Sequence, residues 1–406
     1  MEEKTLCKGL SVTAIVLIAI SALILSFNTA NSTVFGKEVA LYGLPFMAAF
    51  AIPLLMILIL LTRYIKSTDT VEDMIATIAV RYAIFGWFFV FVTKTAMIIL
   101  NTSDNEFIKS NISSIHLIIN EFNVCVIGTV ALAIALKDIP AMKIEKRKMK
   151  IGQLLLLIMM MYGLSQIGSM MGLPVHLALS WVEYRKATGT DIASSVMLSS
   201  NTIVNIITVG ILPAIFEELL FRKFLIDRTI RYGEFISCAM SGIMFGLWHG
   251  NFQQFFFTFF MGILFAFVYI RTGNIIYTMI MHASMNLVTT TVTLQLLTKM
   301  MEAMGMNYKT GVVEMLDGEE VIKALIPIML LMLLWIALLS SFQIVGFIML
   351  IVKRKNFKLV TMPGEPARKE LIKKLTHSPF MWVFFTFALL LFVSCYLPGY
   401  LAYFFG

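Results

Sequence analysis

Six polar residues whose side chains could support hydrolysis lie inside strongly apolar stretches of the sequence. Charge is costly within hydrocarbon, so an ionisable residue in a membrane-spanning segment indicates a functional site. Because all six lie within about seventy residues of one another, we interpret them as a single catalytic site. In chain order they are Glu217, Glu218, Arg222, His249, His282 and Asn286.

The spacing within the first group predicts a division of roles between its two carboxylates. Residues four apart lie on one face of a helix, so Glu218 and Arg222 are expected to form a structural ion pair. Glu217 points about 100° away from Glu218, and Arg222 cannot easily pair with both. Glu217 therefore remains available as a general base.

The downstream residues repeat the four-residue spacing. His282 and Asn286 are expected to reach the same point in a cavity, and Phe245 gives His249 an aromatic neighbour on its own helix face. Imidazole and amide side chains can donate hydrogen bonds to an oxyanion that develops in a transition state. His282 and Asn286 are candidates for that role.

These residue types together suit amide hydrolysis without a covalent intermediate. Desolvation makes a carboxylate a more effective general base near neutral pH, which favours Glu217 as the residue that activates water. His249 could hold the same water or pass a proton to the leaving amine. Two other polar residues in apolar runs, Lys94 and Glu121, receive no catalytic role.

The composition predicts a membrane protein built from helices. The chain has 406 residues, of which 59% are hydrophobic and only 14% charged, and its mean hydropathy is +0.87. Soluble domains carry about a quarter charged residues, and runs of about twenty apolar residues predict transmembrane helices. We therefore expect an all-α, polytopic transmembrane bundle that encloses a buried polar cavity.

Eleven apolar runs are predicted to span the membrane, and they divide the chain into four regions. The runs cover residues 10–27, 39–62, 79–100, 115–136, 153–172, 198–221, 235–250, 252–270, 275–297, 323–352 and 380–401. The predicted regions are the N-terminal helices (1–172), a catalytic core (173–297), an acidic extracytoplasmic loop (298–322) and two C-terminal helices with a basic cytoplasmic loop (323–406).

The charges of the loops predict the orientation of the chain. The 137–150 and 353–374 loops are rich in Lys and Arg, whereas residues 299–322 are mainly acidic. The positive-inside rule places both basic loops and the N-terminus in the cytoplasm. A cell membrane is the expected location, and the resemblance described below favours one of bacterial type. Because the positive charges lie beside the apolar runs, the net charge of +8 gives no reason to expect nucleic-acid binding.

If the spans simply alternate in direction across the membrane, two of the candidate site residues are predicted to lie at different depths. Alternation places Glu217 toward the inner face and His249 near the far end of its run. The two groups reach a common depth if the sixth helix continues to about Arg228 and the seventh run ends within the bilayer.

Three motifs in chain order carry a resemblance to a known family. Glu217-Glu218-x-x-x-Arg222, Phe245-Gly-Leu-Trp-His249 and His282-x-x-x-Asn286 resemble the CPBP family of intramembrane peptidases. That family includes the type II CAAX prenyl endopeptidases and bacterial Abi-type proteins, and the similarity covers about residues 195–295.

The resemblance implies a membrane-embedded, glutamate-dependent endopeptidase that needs no cofactor. It implies that Glu217 and His249 hold the water and that His282 and Asn286 form the oxyanion side. The expected partners are the lipid bilayer and a peptide or membrane-protein substrate, while the oligomeric state is left open.

Three alternatives remain open from the sequence. Glu217, His249 and His282 could instead supply three ligands to a catalytic zinc ion. The chain could be a non-enzymatic scaffold or an immunity protein that binds a peptide. The many spans with charged residues at mid-depth are also compatible with a transporter of small solutes.

Overall fold

The protein is described by a computed structural model that covers most of the chain. The described residues are 9–21, 23–24, 52–53, 55–57, 59–60, 62–63, 71–179, 192–307, 312–313, 318–361, 365 and 367–405.

Within these residues the fold is an all-α bundle, as predicted. The helices are α1 (Gly9–Ser21), α2 (Val71–Asn101), α3 (Glu106–Ala135), α4 (Ile151–Leu179), α5 (Ile192–Ser199), α6 (Thr202–Tyr232), α7 (Glu234–Trp248), α8 (Phe252–Thr272), α9 (Ile275–Ala303), α10 (Gly318–Val352), α11 (Arg368–His377) and α12 (Pro379–Phe405). A pair of two-residue antiparallel strands, β1 (Met306–Asn307) and β2 (Val312–Val313), lies between α9 and α10.

The helices agree with the predicted spans wherever the chain is described. Eight of them are long and apolar enough to cross a membrane, and α1 and α7 are shorter apolar helices. The predicted run 39–62 falls largely outside the described residues. The total of eleven spans and the four region boundaries therefore stay predictions.

Three of the long helices contain π-helical segments. Phe122–Gly128 interrupts α3, Ile206–Ile211 and Leu219–Phe224 interrupt α6, and Thr289–Thr293 interrupts α9. A π turn leaves a backbone carbonyl without its usual partner, and such turns often occur at functional sites. Nothing in the apolar pattern predicted them.

Helices α7 and α8 form a tight hairpin. Glycines at the contact allow the two backbones to approach closely, since a Cβ atom on Gly262 would lie 2.9 Å from the Cα of Gly242. The turn between the helices places Gly250 at φ +66°, a left-handed conformation that glycine adopts without strain. The hairpin thereby fixes the position of His249, which ends α7.

The hairpin also explains how Glu217 and His249 reach a common depth. Glu217 lies 15 residues before Tyr232, the last residue of α6. His249 likewise lies 15 residues after Glu234, the first residue of α7. At the helical rise, both lie about 22 Å along their helices from the connection between α6 and α7. Helix α6 therefore continues past Arg228, and α7 is short, as the depth argument required.

The basic loops meet at one end of the bundle, where α6 ends. The Met142 amide donates to the carbonyl of Asp227 at 2.6 Å, and the Arg147 amide donates to the carbonyl of Thr272 at 2.7 Å. In the second loop, the Val360 amide donates to Glu234 Oε2 at 2.6 Å. The two loops thus share one face, as the positive-inside argument expected.

Candidate active site

Glu217 and Glu218 differ sharply in their surroundings, although they are adjacent on α6. The Glu218 side chain is fully buried, whereas the Glu217 side chain retains 14% of its exposure. The two carboxylates point in different directions from one helix, as adjacent residues must. Glu217 is the carboxylate that a water molecule could reach.

Glu218 pairs with the guanidinium of Arg222 inside the bundle. Arg222 Nε lies 3.2 Å from Glu218 Oε2, and neither side chain has measurable exposure. The guanidinium also sits over two aromatic rings, 4.4 Å from the centroid of Phe245 and 5.0 Å from that of Phe265. Desolvated cation–π contacts of this kind help to hold a charge that has left water.

His282 lies between the two glutamates and contacts both. Its Nδ1 donates a hydrogen bond to Glu218 Oε1 at 3.0 Å, and its Nε2 is 3.8 Å from Glu217 Oε2. The sequence did not reveal the contact with Glu218, because the two residues are far apart in the chain. Glu218 is therefore more than the ion-pair partner of Arg222, since it also orients the imidazole.

His249 approaches the site from the end of α7. Its Nδ1 donates to the carbonyl of Phe245 at 2.8 Å, which leaves Nε2 as the acceptor nitrogen of the neutral ring. The Phe245 ring makes edge contacts with both imidazoles, at 5.0 Å to His249 and 5.7 Å to His282. Phe245 thus contacts both histidines and links the end of α7 to His282 on α9.

Asn286 lies one turn beyond His282 on α9 and is partly buried. Its backbone carbonyl accepts from Thr290, but its side chain makes no hydrogen bond to any residue in the described part of the chain. The structure therefore brings Glu217, Glu218, Arg222 and His282 into direct contact and joins His249 to them through Phe245. The amide of Asn286 stands apart from these contacts.

Glu121 on α3 is a carboxylate near the site to which the sequence analysis assigned no role. It lies close enough to Glu217 for electrostatic repulsion between the two groups. Asn120 and Cys125 donate to its oxygens at 3.0 and 3.3 Å. Its position inside an apolar run was the only available signal, because nothing in the sequence shows that α3 packs beside α6.

The structure offers no ready-made set of metal ligands among the described residues, and the metal dependence of the site stays a prediction. No three His, Cys, Asp or Glu side chains in that part of the chain converge as metal ligands would. Glu217 and His282 are neighbours, but His249 does not join them around a common point.

One comparison with known proteins gives a match. Residues 199–288 match the family model described as Type II CAAX prenyl endopeptidase Rce1-like. No curated protein and no solved structure matches the chain. The match confirms the resemblance that the three motifs carried. Taken with the spanning helices, it makes the chain a multi-pass membrane protein and a membrane-embedded endopeptidase.

Proposed function

Because residues 199–288 belong to the CPBP family of intramembrane peptidases, we propose that the chain is a glutamate-type endopeptidase. It hydrolyses a peptide bond in a membrane-associated peptide or protein. The observation that carries this proposal is the position of His282, with one ring nitrogen on buried Glu218 and the other facing Glu217.

His282 acts as the donor to the oxyanion. The Glu218 carboxylate accepts from Nδ1 and orients the ring, as a buried carboxylate does for the histidine of a catalytic triad. Nε2–H then faces the reacting carbonyl from the side of Glu217. The free amide of Asn286 supplies a second donor once substrate is bound, since a preorganised pair of donors stabilises a tetrahedral intermediate.

Glu217 and His249 carry out the proton transfers of the reaction. Glu217 removes a proton from water, whose oxygen attacks the carbonyl carbon and forms the tetrahedral intermediate. The acceptor Nε2 of His249 orients that water. When the C–N bond breaks, the proton taken up by Glu217 returns to the leaving nitrogen, directly or through His249. No metal or cofactor takes part in this sequence of steps.

The proposal is tested with purified protein in liposomes. Detergent-extracted membrane proteins of the expression host are added, and new peptide N-termini are quantified by mass spectrometry. An internally quenched farnesylated peptide with a CAAX ending, and its unmodified counterpart, form a second arm suggested by the description of the matching family. Cleavage of only the farnesylated peptide would indicate a prenylated substrate.

Glu217→Gln is the decisive variant in this assay. Its loss of the general base is expected to lower the cleavage rate at least about 100-fold. Glu106→Gln is the matched control, since the side chain of Glu106 is 89% exposed at the start of α3 and lies outside the site. Wild-type cleavage by Glu217→Gln would refute the mechanism, and peptide binding without any cleavage by the wild-type protein would favour the non-enzymatic alternative.

A metal-independent mechanism predicts that chelators leave the rate unchanged. We expect EDTA and 1,10-phenanthroline to have no effect on cleavage by liposome-embedded protein, because Glu217 and His282 act without a third ligand. If the chelators abolish activity and added zinc restores it, Glu217, His249 and His282 would instead be the candidate ligands of a catalytic zinc ion.

A further inference from the structure

Three tyrosines outside the matched family segment contact the backbone beside the three motifs. Tyr82 comes from α2, Tyr162 from α4 and Tyr396 from α12. Each is at most 7% exposed, and each hydroxyl bonds to a backbone atom within four residues of a candidate catalytic residue. One tyrosine therefore serves each of the three catalytic segments.

Tyr82 holds the π-helical segment that follows the glutamates. Its hydroxyl donates to the carbonyl of Leu220, and its ring lies 5.9 Å from that of Phe221. The next carbonyl, that of Phe221, accepts from Ser241 at 3.0 Å. The Leu220 carbonyl also accepts from the Leu225 amide, so the Tyr82 hydroxyl supplies a second hydrogen bond to it. Tyr82 thereby stabilises the turn that sets the direction of Glu217 and Glu218.

Tyr162 reaches α9 between the two residues assigned to the oxyanion. Its hydroxyl donates to the carbonyl of Ser284 at 3.2 Å. Ser284 lies midway between His282 and Asn286, so this bond fixes the rotation and the depth of the segment that carries both.

Tyr396 holds the start of α8, just beyond the His249 turn. Its hydroxyl accepts from the Phe252 amide at 3.0 Å and lies 3.0 Å from His176 Nδ1. Phe252 is the first residue of α8, and amides in the first turn of a helix have no partner within the helix. Tyr396 supplies that partner and so anchors the turn from Gly250 to Phe252.

We propose that Tyr82, Tyr162 and Tyr396 are positioning residues that hold the three catalytic segments at one geometry. The surrounding helices thus form a frame around the family core. This inference rests on the proposed function. Its physical basis is that catalytic groups must stay within a few tenths of an ångström of the productive arrangement, whereas helices in a membrane can slide and rotate.

The test replaces each tyrosine by phenylalanine, which keeps the ring and removes only the hydroxyl. In the membrane-extract assay, a dilution series of extract gives kcat and an apparent KM. Each variant is expected to lose about 10-fold in kcat with apparent KM within about twofold, because the substrate still binds while the reacting groups are misplaced. Hydrogen exchange is expected to quicken in Leu219–Phe224 for Tyr82→Phe only.

Tyr277→Phe is the matched control. The Tyr277 hydroxyl also bonds to backbone, accepting from the Met149 amide at 2.9 Å, but it does so near the start of α9. This variant is expected to lose similar thermal stability and to keep wild-type kcat. An equal loss of kcat in Tyr277→Phe, or unchanged kcat in the three test variants, would overturn the positioning role.

Glu217→Gln in the same assay distinguishes failure of the tyrosine positioning role from failure of the proposed endopeptidase function. If it is inactive while the three tyrosine variants keep wild-type kcat, only the frame is refuted. If it cleaves like the wild type, the proposed function itself fails.

Discussion

Glu218 makes two contacts that distinguish it from its neighbour. It pairs with Arg222 along its own helix and with His282 across the bundle. A buried carboxylate that contacts both a guanidinium and an imidazole has both a structural and an orienting role. Glu217, with its partial exposure and its longer approach to His282, is the candidate for the group that exchanges protons with water.

Glu218→Gln is expected to be both unstable and inactive. The substitution leaves the Arg222 charge buried without a counter-charge, which costs about 3–5 kcal/mol. It also removes the carboxylate that orients the His282 imidazole. Thermal unfolding in detergent measures the first effect, and cleavage of membrane extract measures the second.

The double variant Glu218→Gln with Arg222→Met separates these two effects. An apolar side chain of similar volume is tolerated where a buried ion pair is removed as a whole, so stability should largely recover. Activity should not recover, because Nδ1 of His282 still lacks its carboxylate. Recovery of both would mean that Glu218 serves only to balance Arg222.

The sequence predicted a set of candidate site residues, but only part of the contacts among them could be foreseen. The contacts of Glu218 with Arg222 and of Phe245 with His249 follow from the helical period. The contact between Glu218 and His282, and the approach of Glu121 to Glu217, depend on which helices pack together. Neither periodicity nor spacing carries that information in a single sequence.

The turn that carries His249 shows how a short element sets the position of a side chain. Gly250 adopts φ +66°, and Asn251 then caps α8 by accepting from the Gln254 amide at 2.9 Å. Because α7 ends at Trp248 within the bundle, this non-helical backbone is buried against α12. Such backbone is tolerated at membrane depth only where protein covers it.

Gly250→Ala is expected to reduce activity more than Gly250→Asn. A left-handed conformation costs an L-residue about 1–2 kcal/mol, whereas asparagine visits it readily. The strain would shift His249 and the start of α8. Cleavage rates and melting temperatures of the two variants check this order, and equal activity of both would show that the turn has no influence on the site.

The helices were more predictable than their interruptions. Apolar runs of the right length indicated all of the long helices, because lipid imposes the same requirement on each. The π-helical segments could not be predicted, since they arise where tertiary contacts compete with the regular helical hydrogen bonds. Tyr82 and Ser241, which satisfy the carbonyls of one such segment, come from different helices.

At the scale of the whole molecule, the site lies in a bundle with one strongly basic end. The loops before α4 and after α10 meet near the connection of α6 to α7, and the basic helix α11 continues from the second loop. Helix α11 rests on the bundle through Leu371 and Leu375, which are 3% and 8% exposed. Its Lys374 pairs with Glu72 of α2 at 3.3 Å, while Lys369 and Lys373 are exposed. A charge distribution of this kind sets the orientation of a multi-pass chain.

This arrangement predicts that the basic end is cytoplasmic and that the acidic segment between α9 and α10 lies outside. The test uses a chain without native cysteines, into which single cysteines are introduced at Lys148, Lys369, Glu302 or Glu320. A membrane-impermeant maleimide applied to intact cells should label the last two positions and leave the first two unlabelled until the cells are permeabilised. The opposite pattern would invert the topology, and labelling of Lys148→Cys but not Lys369→Cys would contradict the shared face of the two loops. The expected result would place Glu217 and His249 about 22 Å along their helices from the cytoplasmic connection of α6 and α7, a large part of a hydrocarbon layer about 30 Å thick. Substrate segments would then have to enter the bilayer deeply before Glu217 could act on them.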